Sequence, residues 1–352
     1  MEEKMKKIIS VVFVLLLVAM LFVSCSNGGG DKPDNSPAAD PAQSADAQGG
    51  EKEVGEITVI MQTLNGSFWS DVKRGVEKAI DELAEKGVKC SVNGPDDGSN
   101  LQAQVEMIEA AVAKKVSAIV IAPGDPASVG SAMSICEEKN IPVVLINNST
   151  DSKWPVCLVA TDNYKLGELA GEALGKALGG KGLWAMINWN DSVVASAQRS
   201  AGAADYIKEH YPDMECYQMF YSYSVPDAEL TFVRDTLTAR KDFGGFITAS
   251  EGQLTPTITA VEEAGRVGDI KIVSIDLSPV SLEYIRSGAV AAVSTQNPLH
   301  MGYTGTMTGY KVALGEEVPE YIDSGCALVD KDSMENDEEV RKILIDHRLI
   351  DA

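Results

Sequence analysis

EITVIMQTLNGSFWSDVKRGVEKAIDEL, residues 56–83, is the stretch that decides the fold. Ile57, Val59 and Met61 recur at every second residue, the period of a β-strand. The period then changes. Trp69, Val72, Val76, Ile80 and Leu83 recur at steps of three and four, as on a helix with one apolar face. Residues 64–68 join the two, so the stretch is the first half of a βαβ unit. In open α/β sheets a ligand sits beyond the carboxyl ends of the strands. The loop 65–69 is therefore expected to line a site. It offers the amide of Asn65, a glycine and the rings of Phe68 and Trp69, with no acid, histidine or cysteine. That is equipment for binding more than for catalysis.

Downstream, the same alternation continues. Strands are expected at 88–92, 118–122, 141–146 and 156–160, with helices at 101–115 and 126–139. The run Ala118-Ile119-Val120-Ile121-Ala122 is apolar throughout, as a parallel strand covered on both faces should be. A second series follows. Its helices fall at 164–178, 194–211, 227–240, 255–264, 279–287 and 300–314, and its strands at 183–187, 214–220, 245–248, 271–275, 290–294 and near 327–329, before a charged tail. Such alternation implies right-handed crossovers and doubly wound sheets. Two consecutive α/β sheets of similar design would face each other across a cleft.

Upstream, Lys4, Lys6 and Lys7 precede an apolar run over 8–23, the pattern of an export signal, with a retained anchor as the alternative. Leu21-Phe22-Val23-Ser24-Cys25 resembles a lipobox, which would make Cys25 a lipidated residue, although Phe22 departs from the usual aliphatic. Residues 26–55 are rich in Gly, Ser, Asp, Pro, Ala and Gln and read as a flexible tether. The expected location is extracytoplasmic, in the periplasm or on the outer face of the cytoplasmic membrane, held by lipid. A net charge of −22 argues against nucleic-acid partners and keeps the protein soluble. Without Cys25, Cys90, Cys136, Cys157, Cys216 and Cys326 are odd in number and lack CxxC spacing, so buried free thiols are expected. His210, His300 and His347 show no ligand spacing, and no calcium loop occurs. No metal or cofactor is called for.

AIVIAPGDPASV, IPVVLIN, VATDNYKLGELAGEAL, KIVSIDLSP and VSTQNPLHMGYTG together resemble the periplasmic binding proteins of the ribose and galactose type, the substrate-capturing receptors of ABC importers for simple sugars. The resemblance runs from about Glu56 to Val329, and the QNPLHMGYTG and DNYKLGELAG stretches are its most specific parts. It implies a type I periplasmic binding protein fold: two Rossmann-like, doubly wound parallel-sheet lobes joined by a three-strand hinge. The crossings would fall near Thr161-Asp162, Thr295-Gln296 and Ser324, giving one lobe of 56–161 plus 297–323 and another of 162–296 plus 324–352. Carried over residue by residue, the family's binding positions fall on Phe68 and Trp69 with Asn65 before them, and on Asn147, Asn148, Arg199, Tyr223, Ser250, Glu251, Asp276 and Gln296. Asn147 and Asn148 stand where an acid and a base often grip sugar hydroxyls, and Ser250 stands where an amide is usual. Trp154 and the loop Trp189-Asn190-Asp191 have no clear counterpart; Trp189 and Asn190 are added to the candidate site as strand-end residues.

The chemistry of these residues suits a neutral sugar or polyol. Flat rings cover C–H faces, carboxylates accept from hydroxyls, amides do both, and Arg donates in a fixed fork. Blander readings stand beside this one. Trp69 also fits the helix's apolar stripe, Asp276 could be an N-cap for the helix at 279, Arg199 could be a surface residue, and Trp189 could be packing. The resemblance implies a monomeric receptor that closes on its ligand and delivers it to a membrane permease. The alternatives are a sensory receptor reporting to a membrane sensor, the same scaffold with a nucleoside or signalling furanose, a repressor's effector domain, and an exported glycoside hydrolase. For the last, Arg199 beside Glu251 and Asp276 would keep both ionised, which does not suit a general acid.

Overall fold

The computed structural model describes residues 54–98 and 100–351. The export segment 1–25 with Cys25, and the tether 26–55 up to residue 53, lie outside the described residues.

Two six-stranded sheets carry the chain. The first is built from β1 (Glu56–Ile60), β2 (Lys89–Asn93), β3 (Ala118–Ile121), β4 (Val143–Ile146), β5 (Cys157–Ala160) and, far later in sequence, β11 (Tyr321–Asp323). Its spatial order is β11-β5-β4-β3-β1-β2 and every pair is parallel. The second uses β6 (Lys181–Asn188), β7 (Asp213–Tyr221), β8 (Phe243–Thr248), β9 (Lys271–Ile275), β10 (Ala292–Gln296) and β12 (Cys326–Asp330), in the order β12-β10-β9-β8-β6-β7. The two orders are equivalent, as the repeated pattern of the sequence requires. The apolar residues of β3 are all buried, and Ile57 and Val59 of β1 sit in the core.

Helices α1 (Ser67–Glu85), α2 (Leu101–Ala113), α3 (Pro126–Glu138) and α9 (Pro298–Leu314) cover the first sheet. The second is covered by α4 (Asn163–Leu178), α5 (Val194–His210), α6 (Ala228–Ala239), α7 (Glu251–Glu263), α8 (Pro279–Ser287) and, after the short α10 (Ser333–Asn336), by α11 (Glu338–Asp346). The chain passes between the sheets three times: from β5 into α4, from β10 into α9, and from β11 into β12. Two of these crossings are bonded together. The hydroxyls of Thr161 and Ser324 lie 3.1 Å apart and buried, and the Ser324 amide donates to the Ala160 carbonyl at 3.0 Å.

Each sheet carries one helix pair packed backbone to backbone through reciprocal glycines. A Cβ on Gly302 of α9 would fall 2.0 Å from the Val72 carbonyl oxygen of α1, and one on Gly75 of α1 would fall 1.9 Å from that of Leu299. In the other half, Gly202 of α5 meets the Tyr164 carbonyl at 2.0 Å, and Gly167 of α4 meets that of Arg199 at 2.2 Å. Only glycine permits this approach. The two pairs fix α1 and α5, which carry site residues from opposite sheets.

Three features depart from the sequence expectation. β11 has three residues and no strand signal of its own, because it pairs only along β5 at the sheet's edge. β12 runs antiparallel to β10. It follows a crossing directly, without a covering helix, so it enters the second sheet at the end where β10 leaves. α7 begins at Glu251 instead of residue 255, because Pro256 is accommodated inside the helix. Among the described cysteines, Cys136 and Cys157 are buried free thiols as expected, whereas Cys216 is exposed. Burial pushes the Cys136 and Cys157 thiols up to about 11.

Candidate ligand-binding site

A cavity of about 420 Å³ lies where the carboxyl ends of both sheets meet, within the range of roughly 300–1,000 Å³ usual for small-molecule sites. It draws one wall from each sheet and its floor from the crossings.

On the wall of the second sheet, Arg199 is the hub. Its side chain is only 6% exposed. Nε donates to Asn163 Oδ1 at 2.9 Å, and Nη1 donates to the Ala249 carbonyl at 2.7 Å and to Asp276 Oδ2 at 2.9 Å. The other carboxylate oxygen of Asp276 accepts from Gln296 Nε2 at 2.8 Å. One polar chain thus runs from the start of α4 through α5 and the end of β9 to the end of β10. The Arg199 guanidinium also lies 5.6 Å from the centroid of the Trp189 ring, in cation–π range. Asp276 does not cap α8: Ser278 does, with a capping box completed by Ser281. Glu251 opens α7 and lines the cavity, while the Ser250 hydroxyl beside it donates to Gln253 at 2.6 Å.

On the opposite wall, Phe68 and Trp69 meet edge to face with centroids 5.1 Å apart. Both are half-buried; each packs on the core beneath and lines the cavity, so the stripe reading and the binding reading of Trp69 hold together. Asn147 and Asn148 follow β4. Asn148 Nδ2 donates to Gln62 Oε1 at 3.2 Å and to the Pro123 carbonyl at 3.0 Å, which makes it a brace as well as a lining residue. Asn147 and Asp276 hold equivalent places, each the first residue past the fourth strand of its half, and both adopt left-handed backbone at φ 66° and 69°. Asn and Asp tolerate that conformation better than other side chains, and strained backbone clusters at binding sites.

The structure therefore brings Phe68, Trp69, Asn147, Asn148, Trp189, Arg199, Ser250, Glu251, Asp276 and Gln296 to one cavity. Asn65, Asn190 and Tyr223 stand elsewhere. Asn65 donates to the Asp96 carbonyl at 2.6 Å and ties the loop after β1 to the loop after β2. Asn190 accepts from the Ser192 amide at 2.8 Å within its own turn. Tyr223 is 54% exposed, and its hydroxyl is bonded to Asp191. Each is near a strand end in sequence but is held outside the cavity, Asn65 and Tyr223 by neighbouring loops and Asn190 by its own turn. Trp154 donates from Nε1 to the Ile141 carbonyl at 2.8 Å and packs beside the first sheet.

Sequence reading passed over Gln62, Asp71, Asn163, Thr295 and His347, all of which line the cavity. Gln62 follows the first strand, Asn163 follows the crossing at Thr161-Asp162 and Thr295 precedes Gln296, so a strand-end rule applied more widely would have found them. Asp71 and His347 carried no such signal. Burial alone would raise the Asp71 carboxyl, but hydrogen bonds and charge from His347 and Arg74 outweigh it and hold it below the usual carboxylate range.

A family model described as periplasmic binding protein domain matches residues 57–317. The chain belongs to the periplasmic binding protein family. Among curated relatives, the ribose import binding protein RbsB of Bacillus subtilis is 24% identical over 92% of this chain and 99% of its own length. The protein of the same name from Escherichia coli is 24% identical over 74% of this chain and 86% of its own. Among solved structures, an ABC transporter solute-binding protein from Agrobacterium vitis with bound D-fucose is 31% identical, with a TM-score of 0.68 over 81% of this chain and 98% of that one. A carbohydrate transporter solute-binding protein from Agrobacterium radiobacter in complex with D-arabinose is 27% identical, with a TM-score of 0.70 over 83% of this chain and 98% of that one. These relatives are binding proteins, and the two-lobed α/β scaffold of this periplasmic binding protein matches theirs.

Proposed function

We propose that this protein is an extracytoplasmic receptor that captures a neutral sugar or polyol between its two lobes and delivers it to the permease of an ABC importer. One observation carries the reading: the aromatic pair Phe68–Trp69 and the network Arg199–Asp276–Gln296 come from different sheets and share one cavity. Rings on one wall cover the apolar face of a sugar, and the charged and amide groups on the other satisfy its hydroxyls. Arg199 already offsets Asp276, so an uncharged ligand fits that balance without leaving a buried charge unpaired. The names of the relatives, which include ribose-, allose- and xylitol-binding proteins, support the same substrate class.

In this reading residues 56–161 plus 297–323 and residues 162–296 plus 324–352 are the two moving bodies, and the three crossings are the hinge. Phe68, Trp69, Asn147, Asn148, Trp189, Arg199, Ser250, Glu251, Asp276 and Gln296 contact the ligand. Their role is binding, not catalysis. Lipidation at Cys25 holds a monomeric receptor at the membrane. The test is a thermal-shift panel of D-ribose, D-allose, D-arabinose, D-fucose, xylitol, cyclitols and nucleosides. At least one neutral sugar or polyol should raise the melting temperature in a saturable way. A panel without a hit overturns the reading.

A further inference from the structure

His347 is the least expected member of the cavity wall. It lies 51 residues beyond Gln296, the last strand-end position that sequence reading singled out, in the C-terminal tail. Its side chain is 9% exposed. Nδ1 lies 2.9 Å from Asp71 Oδ2 of α1, across the gap between the two sheets. Its other ring nitrogen, Nε2, is buried and has no partner among the described residues.

The tail that carries it is firmly mounted on the second sheet. Val340 and Leu344 of α11 belong to that sheet's core, and Leu349 and Ile350 pack against the same cluster. Between these anchors the helix ends in a Schellman turn. The Leu349 amide donates to the Leu344 carbonyl at 2.9 Å, the Arg348 amide donates to the Ile345 carbonyl at 2.8 Å, and Arg348 takes the left-handed backbone at φ 55°. This fixes His347 at the C-cap. The last helical carbonyl, that of Asp346, accepts a hydrogen bond from Arg74 of α1, a cation placed where a helix end leaves carbonyls unsatisfied. Arg74 also donates to Asp71 Oδ1 at 2.5 Å. Asp71 and His347 line both the cavity and a neighbouring crevice of about 600 Å³, so the pair stands between the two.

We propose that this tail is a noncovalent clasp between the lobes, and that the clasp supplies His347 as a ligand-contacting residue through Nε2. The ligand part of the proposal rests on the receptor reading given above. With Nδ1–H donating to Asp71, the neutral ring offers Nε2 as an acceptor, and the imidazolium offers it as a donor. A hydroxyl can answer either, so the group recognised at this point is a hydroxyl of the ligand. Because the contact forms only when the tail reaches α1, it holds bound ligand in place and acts on its release.

The chain has three histidines, so proton–nitrogen correlation spectra of their rings can be assigned with His347→Gln. The probe is whichever of D-ribose, D-allose, D-arabinose and D-fucose raises the melting temperature. Saturable movement of the His347 Nε2 resonance is expected, with His210 and His300 unmoved. His347→Ala should weaken binding about tenfold or more through faster release, and His347→Gln should recover part of the loss. An Nε2 resonance unmoved at saturating sugar overturns the proposal, as does His347→Ala binding within about twofold of wild type. Should no sugar bind, the receptor reading fails by itself, and the clasp is judged on ligand-free protein by small-angle scattering. Asp71→Asn with Arg74→Ala should then give a larger radius of gyration than wild type; unchanged scattering overturns the clasp.

Discussion

Asp276→Ala is the perturbation that bears hardest on the site. In the folded protein this carboxylate faces Arg199 at 2.9 Å and Gln296 at 2.8 Å. Removing one partner of a fully buried ion pair costs about 3–5 kcal/mol. Here Asp276 is 28% exposed, and Arg199 keeps its bonds to Asn163 and the Ala249 carbonyl, so water and neutral acceptors cover part of the loss. About 2 kcal/mol is the reasonable share for the charge. A further ~1 kcal/mol follows because alanine must take up φ 69°, which Asp tolerates better. The sum of about 3 kcal/mol corresponds to a fall of roughly 6–12 °C in melting temperature. Asp276→Asn keeps the turn and one hydrogen-bonding oxygen and should lose only about 1–2 kcal/mol. Urea unfolding of both variants without ligand separates the two terms, and the sugar panel repeated on each reads the effect on binding. Asp276→Ala with stability within about 0.5 kcal/mol of wild type would refute the network as an energetic unit. Undiminished sugar stabilisation in that variant would refute its place in the site.

Gly202→Ala places a methyl 2.0 Å from the Tyr164 carbonyl and should cost about 1–3 kcal/mol or more, with loss of binding, because α4 and α5 must part and carry Asn163 away from Arg199; urea unfolding and the panel check both. Asn147→Gly should leave stability within about 1 kcal/mol of wild type, since glycine accepts φ 66°, while Asn147→Ala should be less stable than Asn147→Gly by about 1 kcal/mol; both should bind sugar less tightly. The Asp71 carboxyl is held below its ordinary 3.8 by its partners, so it adds stability that is complete above that value and is lost as pH falls through the lower folded value. The stability gap between wild type and Asp71→Asn should therefore shrink between about pH 5 and about pH 2, and a gap that widens on acidification would contradict the pairing.

Much of the fold could be read along the chain because its causes are local. Period three to four in 69–83 and the fully apolar 118–122 each follow from which faces of an element are covered, and burial obeyed them, whereas 57–61 is buried on both faces, Thr58 and Ile60 included, because the strand lies inside the sheet with helices on both sides. Asn147, Arg199's partner Asp276 and Gln296 were implied by the family resemblance, and their places at strand ends agree with it, since a sheet's carboxyl edge is fixed once its strands are. Gly167 and Gly171 in DNYKLGELAG and Gly302 in QNPLHMGYTG have a physical reason as well, the backbone contact of paired helices, while Gly305 makes room for the Ile146 side chain of β4. Where loop geometry decides direction, sequence position was a poor guide: Asn65 and Tyr223 are beside strand ends yet bond to neighbouring loops, and Asn190 bonds within its own turn.

By itself, the sequence determined two α/β halves, their alternating elements and the chemical kinds of group at their edges, because covalent neighbours set periodicity and turn type. Tertiary structure alone decided which of those groups meet. Arg199 acquires Asn163, Asp276 and the Ala249 carbonyl only when four separate elements converge, and β11 has no existence without the edge of β5. Asp71 and His347 are separated by most of the chain and joined by a 2.9 Å contact, a pairing set by how a tail mounted on one sheet reaches a helix mounted on the other.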